Sequence, residues 1–165
     1  MEQINYQQKF EELFCQHIKR EGAQQLLEWL KKTDFFTAPA STKYHCACQG
    51  GLVMHSVNVF ETMVDRFFEE GDSMESFAIC GLLHDVCKVN CYHTETRRRK
   101  NPETGYWEDY QTYAFRDPLP LGHGEKSLYL IQRHMDLEPE EALAIRWHMG
   151  AYDNAAKGDG RALSA

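Results

Sequence analysis

The sequence has no uninterrupted apolar run that approaches the ~20 residues of a membrane-spanning helix. Its first residues, MEQINYQQKFEELF, lack the basic and then apolar stretch of a signal peptide. Basic residues are also in deficit, with 18 Lys and Arg against 25 Asp and Glu, and this balance argues against broad affinity for nucleic acids or membranes. We therefore expect a cytoplasmic protein without membrane attachment.

The six cysteines form no obvious disulfide framework, and in a reducing compartment they would remain thiols. The stretch His45-Cys46-Ala47-Cys48 is marginal for structural zinc, because such sites use Cys pairs that are two to four residues apart. At 165 residues, the chain is long enough for one domain with a core and short for two. We expect a single domain over residues 1–165.

Apolar residues at helical spacing predict six helices, over residues 3–20, 23–32, 52–71, 73–88, 123–135 and 138–149. The first two helices form an N-terminal segment, 1–33, whose exposed apolar positions could serve a homodimer. An Ala- and Gly-rich tail occupies 151–165.

The pattern changes between residues 92 and 117. Two polar and aromatic arms flank the turn-forming residues Asn-Pro-Glu-Thr-Gly, which is typical of a β-hairpin. The sequence therefore predicts an all-α helical bundle with one inserted β-hairpin.

Four histidine positions lie at or near predicted helix ends, where side chains from packed helices can converge: His55, His84 beside Asp85, His123 and His148. Adjacent helical residues point about 100° apart, so His84 and Asp85 can contact one metal only if it sits between them at the mouth of the bundle. Imidazole and carboxylate together suit a divalent metal, and a set without Cys is more typical of a catalytic than of a structural site. For each histidine taken alone, a helix cap or a surface position is the commoner role.

Four segments in this order resemble the HD-domain superfamily of metal-dependent phosphohydrolases: GGLVMHSVNVF, LLHDVCK, LGHGEKS and IRWHMG. The similarity covers about residues 50–150. It implies an HD-domain-like helical core, a site for one or two divalent ions (Mn, Fe, Co, Ni, Zn or Mg), and hydrolysis of phosphate esters, commonly of nucleotides.

The resemblance assigns His55, His84 and Asp85 to one metal. Asp85 would bridge to a second metal held by His123 and His148, with activated water attacking phosphorus.

The sequence departs from the family pattern at two places. Trp147 stands where related sequences often carry a second histidine. The closing aspartate of a later helix is also missing before Ala165, so Asp153 or Asp159 would have to replace it, and metal affinity and activity would be weakened. Two rival hypotheses follow: a catalytically silent module that binds metal or nucleotide for regulation, and a helical interaction domain without metal.

Several basic residues are candidates for contact with a small-molecule phosphate ester. Lys88 lies one turn beyond His84 and could reach a phosphate, although it could equally be a solvated helix-end lysine. Lys126 is a second candidate. Arg97 and Arg98 belong to the one concentrated basic run, and if the hairpin folds over the site they could attract nucleotide phosphates. The alternative is an exposed turn whose charges are solvated.

Overall fold

The computed structural model describes residues 4–153. Six α-helices, two β-strands and two short 3₁₀ helices follow one another along the chain. In order, they are α1 (Tyr6–His17), α2 (Ala23–Lys31), α3 (Gly51–Phe67), α4 (Met74–Leu83), a 3₁₀ helix (Val86–Lys88), β1 (Tyr92–Lys100), β2 (Trp107–Phe115), α5 (His123–Gln132), α6 (Pro139–Trp147) and a second 3₁₀ helix (Gly150–Tyr152). None of the helices within 4–153 is both long and apolar enough to span a membrane.

The helices pack around one apolar core to which all six contribute fully buried side chains, including Phe10, Leu30, Leu52, Leu82, Ile131 and Ile145. The spacing of such residues along each helix places them on one face, and burial of that face stabilises each helix. Local caps set the starts: the Asn5 side chain accepts a hydrogen bond from the Gln8 backbone N–H before α1.

Helices α3 and α4 cross in close contact at Gly81. A Cβ atom built on Gly81 would lie 2.6 Å from Phe60 Cα and 2.8 Å from Phe60 Cβ, so a side chain there would force the helices apart. This close approach brings the histidine of α3, His55, next to the histidine that follows α4, His84.

The predicted hairpin is present, but the all-α fold class is wrong. Helices make up 49% and strands 12% of the structure, which is a mixed α/β content. Strands β1 and β2 are antiparallel and pair continuously from Tyr92 with Phe115 to Lys100 with Trp107. A nine-residue ladder of this kind is a substantial element of the fold, whereas the sequence predicted the hairpin as one insertion in an all-α bundle.

The base of the hairpin is tied to α5 by buried polar contacts. The Lys126 ammonium donates a 2.6 Å hydrogen bond to Asp117 Oδ1 and lies 3.2 Å from the Cys91 sulfur. Cys91 and Asp117 lie just before β1 and just after β2, and a backbone hydrogen bond from Arg116 to Cys91 joins the two flanks. The hairpin therefore leaves the helical body from a fixed position.

The predicted helix over 73–88 is shorter in the structure. Helix α4 ends at Leu83, and Asp85 has φ −104° and ψ 15°, which interrupts the helix before the 3₁₀ turn begins. This sparsely populated backbone region is a common location for active-site residues. The break changes the directions available to the side chains of His84 and Asp85.

Candidate metal centre

Five residues from four parts of the chain line one cavity of about 470 Å³. They are His55 in α3, His84 and Asp85 after α4, His123 at the start of α5, and His148 directly after α6. The structure thus brings together all four predicted histidine positions and the predicted aspartate.

Asp85 lies at the centre of this cluster, and its two carboxylate oxygens face different histidines. Oδ2 lies 3.3 Å from His55 Nε2 and 3.4 Å from His84 Nε2. Oδ1 lies 2.9 Å from His123 Nε2 and 3.6 Å from His148 Nε2. The carboxylate is therefore shared between two pairs of imidazoles.

The first pair forms a nearly equilateral triangle with Asp85. The two Nε2 atoms of His55 and His84 are 3.2 Å apart, close to their distances from Oδ2. Metal–nitrogen and metal–oxygen bonds of about 2.0–2.2 Å at tetrahedral angles would place the ligand atoms about 3.4 Å from one another. His55, His84 and Asp85 could hold a metal ion, and the identity of that ion is open.

Two of the histidines have a fixed orientation. His84 Nδ1 lies 2.9 Å from the Gly81 carbonyl and His148 Nδ1 lies 2.7 Å from the Ile145 carbonyl. Since a carbonyl only accepts hydrogen bonds, each Nδ1 carries the proton and donates it. In the neutral imidazole, Nε2 then presents its lone pair, and metal-binding histidines are commonly held by such a second hydrogen bond.

The surroundings of His148 Nε2 indicate whether these residues fit a metal. It is buried and has no hydrogen-bond partner within residues 4–153, because Asp85 Oδ1 at 3.6 Å is too distant. A buried acceptor without a partner costs about 1–3 kcal/mol. A cation at this position would satisfy the lone pair, so the residues fit a divalent metal.

Asp85 is an anion in a buried position. Burial alone would raise its pKa, but the four surrounding imidazoles, with that of His84 first, outweigh burial and hold the pKa well below the ordinary value. The side chain is 3% exposed. A buried carboxylate that stays ionised needs positive charge beside it. The Lys88 ammonium, 2.8 Å from Oδ2, supplies one such charge, and a bound cation would add to it.

Cys87 adds an unexpected group next to His123. Its sulfur lies 3.4 Å from His123 Nδ1 and 3.8 Å from Nε2, and Asp85, Cys87 and His123 together could also hold a metal ion. Burial, reinforced by the negative charge of Asp85, raises the pKa of the Cys87 thiol to about 12. The group is therefore a neutral thiol unless a metal displaces its proton.

Lys88 also lines the cavity. Its Nζ donates a 2.8 Å hydrogen bond to Asp85 Oδ2, and its side chain is 14% exposed. The alternative of a solvated lysine at a helix end does not describe this position, because the ammonium is mostly buried and paired.

The other predicted substrate contacts do not line the cavity. Lys126 is 3% exposed and is engaged by Asp117 and Cys91 beneath the hairpin. Arg97 pairs with Glu95 and Arg98 with Asp109, on the exposed faces of the hairpin.

The predicted replacement for the closing aspartate, Asp153, is engaged by an arginine. Asp153 belongs to neither group that could hold a metal, and its Oδ2 accepts a 2.7 Å hydrogen bond from Arg146. Asp159, the other candidate, lies outside the described residues.

The cavity residues that the sequence did not indicate include His45, Tyr92, Phe115 and Met149. The His45 ring centroid is 5.0 Å from that of His55. The sequence could have indicated His45, which lies ten residues before His55, but its neighbouring cysteines favoured the question of a structural zinc site. The remaining three have no local sequence signature. Only the fold brings the two ends of the hairpin, Tyr92 and Phe115, and the residue after His148 to the cavity.

Comparison of the chain with protein-family models, with curated proteins and with solved structures finds no match. The similarity to HD domains therefore rests on the four sequence motifs and stays a prediction.

Proposed function

We propose that the protein is an HD-domain-type, divalent-metal-dependent phosphohydrolase that hydrolyses a phosphomonoester or phosphodiester of a nucleotide. One observation carries the proposal: the Asp85 carboxylate turns one oxygen to His55 and His84 and the other to His123 and His148. A shared carboxylate between two imidazole pairs is the ligand arrangement expected for two neighbouring cations.

Two sets of residues that share Asp85 would bind two cations. His55, His84 and Asp85 would hold one cation, and Asp85, His123 and His148 would hold a second. Cations bound there would polarise phosphoryl oxygens as Lewis acids and lower the pKa of water. Imidazole and carboxylate ligands are compatible with Mn, Fe, Co, Ni, Zn or Mg.

Hydrogen bonds to backbone carbonyls orient two of the histidine rings in the absence of a cation. The Gly81 and Ile145 carbonyls hold the rings of His84 and His148 with Nε2 directed into the cavity. Little side-chain freedom then remains to be lost on binding, which favours affinity.

Lys88 would bind the phosphate. Among the described residues that line the cavity, it is the one that carries an ammonium or guanidinium group. Its Nζ lies beside Asp85 Oδ2, so a phosphate held at the cluster would lie within reach of the ammonium. Its charge would offset negative charge on the phosphoryl oxygens.

The first test is elemental analysis of the untagged protein and of Asp85→Ala, with Asp109→Ala as a matched control on the exposed hairpin. We expect one or two equivalents of metal in the parent and in Asp109→Ala, and loss of metal in Asp85→Ala. Each protein is then assayed with added Mn²⁺, Co²⁺, Ni²⁺, Zn²⁺, Fe²⁺ or Mg²⁺ for release of inorganic phosphate from nucleotide monoesters and for conversion of nucleotide diesters to monoesters. Equal metal content in Asp85→Ala would contradict the assigned site.

A second candidate function is a regulatory module that binds metal or nucleotide without turnover. The contact of Asp153 with Arg146 favours it, because Arg146 engages a carboxylate oxygen that a closing metal ligand would need. This function predicts bound metal that is lost in Asp85→Ala and no hydrolysis of a nucleotide monoester or diester with any of the six metals, while calorimetry still detects nucleotide binding.

A further inference from the structure

The cavity has two chemically different sides. One side carries the metal-ligand cluster and Lys88. The other is formed by the base of the hairpin and by residues after α6, where Phe115 is 53% exposed and Met149 is 37% exposed. Tyr92, the strand partner of Phe115, completes this apolar side.

The apolar side is held in place before any ligand binds. The Tyr92 hydroxyl donates a 3.0 Å hydrogen bond to the Ala40 carbonyl, which fixes the ring against the loop before α3. The rings of Tyr92 and Phe115 meet edge to face, with centroids 5.3 Å apart. Phe115 therefore presents its exposed aromatic surface to the cavity while it packs on an anchored ring, which reduces the side-chain freedom that binding would remove.

The charges of the lining residues limit what this side can bind. Ala40, Tyr92, Phe115 and Met149 carry no charge, and Lys88 is the one lysine or arginine among the described lining residues. A chain of additional phosphates would find no further ammonium or guanidinium group there. The volume of about 470 Å³ lies in the range of small-molecule sites.

We infer that Phe115 and Met149 bind the base of a nucleoside monophosphate whose phosphate lies at Lys88 and the metal cluster. This inference rests on the proposed function and specifies its substrate class: a single phosphate joined to a flat, uncharged, aromatic group. Stacking on an aromatic side chain suits such a group because every nucleobase has a π-face. Phosphate esters of sugars alone lack that face.

The test is calorimetric binding of two phosphonates whose P–C bonds resist hydrolysis, to the full chain loaded with Mn²⁺ or with Zn²⁺. Methylphosphonate probes the phosphate side alone, and the methylenephosphonate analogue of adenosine monophosphate probes both sides. We expect the nucleoside phosphonate to bind roughly five- to 150-fold more tightly, the range that base stacking supports.

Substitutions of Phe115 measure how much of the difference in affinity between the two phosphonates comes from this side chain. In Phe115→Ala, the affinity ratio of the two phosphonates should fall to about one to three, and in Phe115→Leu it should take an intermediate value. Tyr106→Ala is the matched control, since this aromatic residue belongs to the same hairpin, is 79% exposed and does not line the cavity. It should keep the parental ratio. Thermal unfolding of each variant verifies that it is folded.

The outcomes separate the inference from the proposed function. Equal affinities for the two phosphonates in the parent protein, or a parental ratio in Phe115→Ala, would overturn the inference and leave the phosphohydrolase proposal standing. Failure of both phosphonates to bind either metal-loaded form would overturn the proposed function and the inference with it.

Discussion

Replacing Lys126 by Met should destabilise the protein and loosen the hairpin from the helical body. Methionine keeps most of the length of the side chain but removes the ammonium, which is 2.6 Å from Asp117 Oδ1. Burial opposes the charge on Lys126, yet its hydrogen bond with Asp117 raises the lysine pKa above the ordinary value. The pair is therefore ionised, and the substitution leaves Asp117 without its cation.

The expected loss follows from the burial of the two partners. Removing one partner of a fully buried ion pair costs about 3–5 kcal/mol. Asp117 keeps 23% of its side-chain surface and a hydrogen bond from the Leu119 backbone, which reduce the penalty. We expect a loss of about 2–3 kcal/mol in the free energy of unfolding, and a fall in Tm of roughly 4–12 °C for a chain of this size.

Urea unfolding followed by circular dichroism measures this loss. Lys100→Met on the exposed end of β1 is the matched control and should change the free energy of unfolding by less than about 0.5 kcal/mol. A second change, Asp117→Asn, should recover at least about 1 kcal/mol in the Lys126→Met background, because it removes the uncompensated charge. A loss below about 0.5 kcal/mol for Lys126→Met, together with weaker substrate binding, would refute this reasoning and restore the sequence-based role of Lys126 as a phosphate contact.

Two further predictions concern the close helix crossing and a buried carboxylate. Gly81→Ala should lower metal affinity about tenfold or more in a chelator competition. The added Cβ must displace Phe60, and this shift of α3 against α4 changes the position of His84. Unchanged affinity would contradict the assigned role of the helix crossing. Glu141 is buried, and although burial opposes ionisation, its hydrogen bonds from Arg20 lower its pKa. Because the folded pKa lies below the unfolded one, this stabilisation is present above the unfolded value and is lost as pH falls through the folded value. Urea unfolding between pH 6 and pH 3 should therefore depend less on pH in Glu141→Gln than in the parent, and equal slopes would argue against this ion pair.

The positions of the five cluster residues could be anticipated from the sequence, because each belongs to a motif at a predicted helix end. The sharing of the Asp85 carboxylate could not. It depends on the end of α4 at Leu83 and on the backbone angles of Asp85, and helical periodicity alone predicts a helix that continues to Lys88. The close contact at Gly81 likewise depends on which residue of α3 faces it.

The basic residues show why charge in a sequence does not locate a binding site. Lys126 lies one helical turn after His123, and that spacing alone is compatible with the same cavity. In the structure, the lysine instead meets Asp117, which lies nine residues earlier in the chain and comes from the end of the hairpin. The partner of a buried charge is decided by tertiary packing, which a single sequence does not reveal.

The length of the hairpin decides which of its residues can act in the cavity. Tyr92 and Phe115, the cross-strand pair at the start of the hairpin, line the cavity. The last cross-strand pair, Lys100 and Trp107, lies eight residues farther along the strands. At about 3.4 Å per residue, this separation is roughly 27 Å along the ribbon, and Arg97 is already about 17 Å from the base. Each hairpin arginine also has an acidic partner on the ribbon, and those partners offset its charge. A contribution of the hairpin to a ligand in this cavity therefore comes from its base, and a protein whose hairpin is shortened by deletion of residues 97–108 should bind that ligand with the parental affinity. Weaker binding after this deletion would instead support the sequence-based role of Arg97 and Arg98.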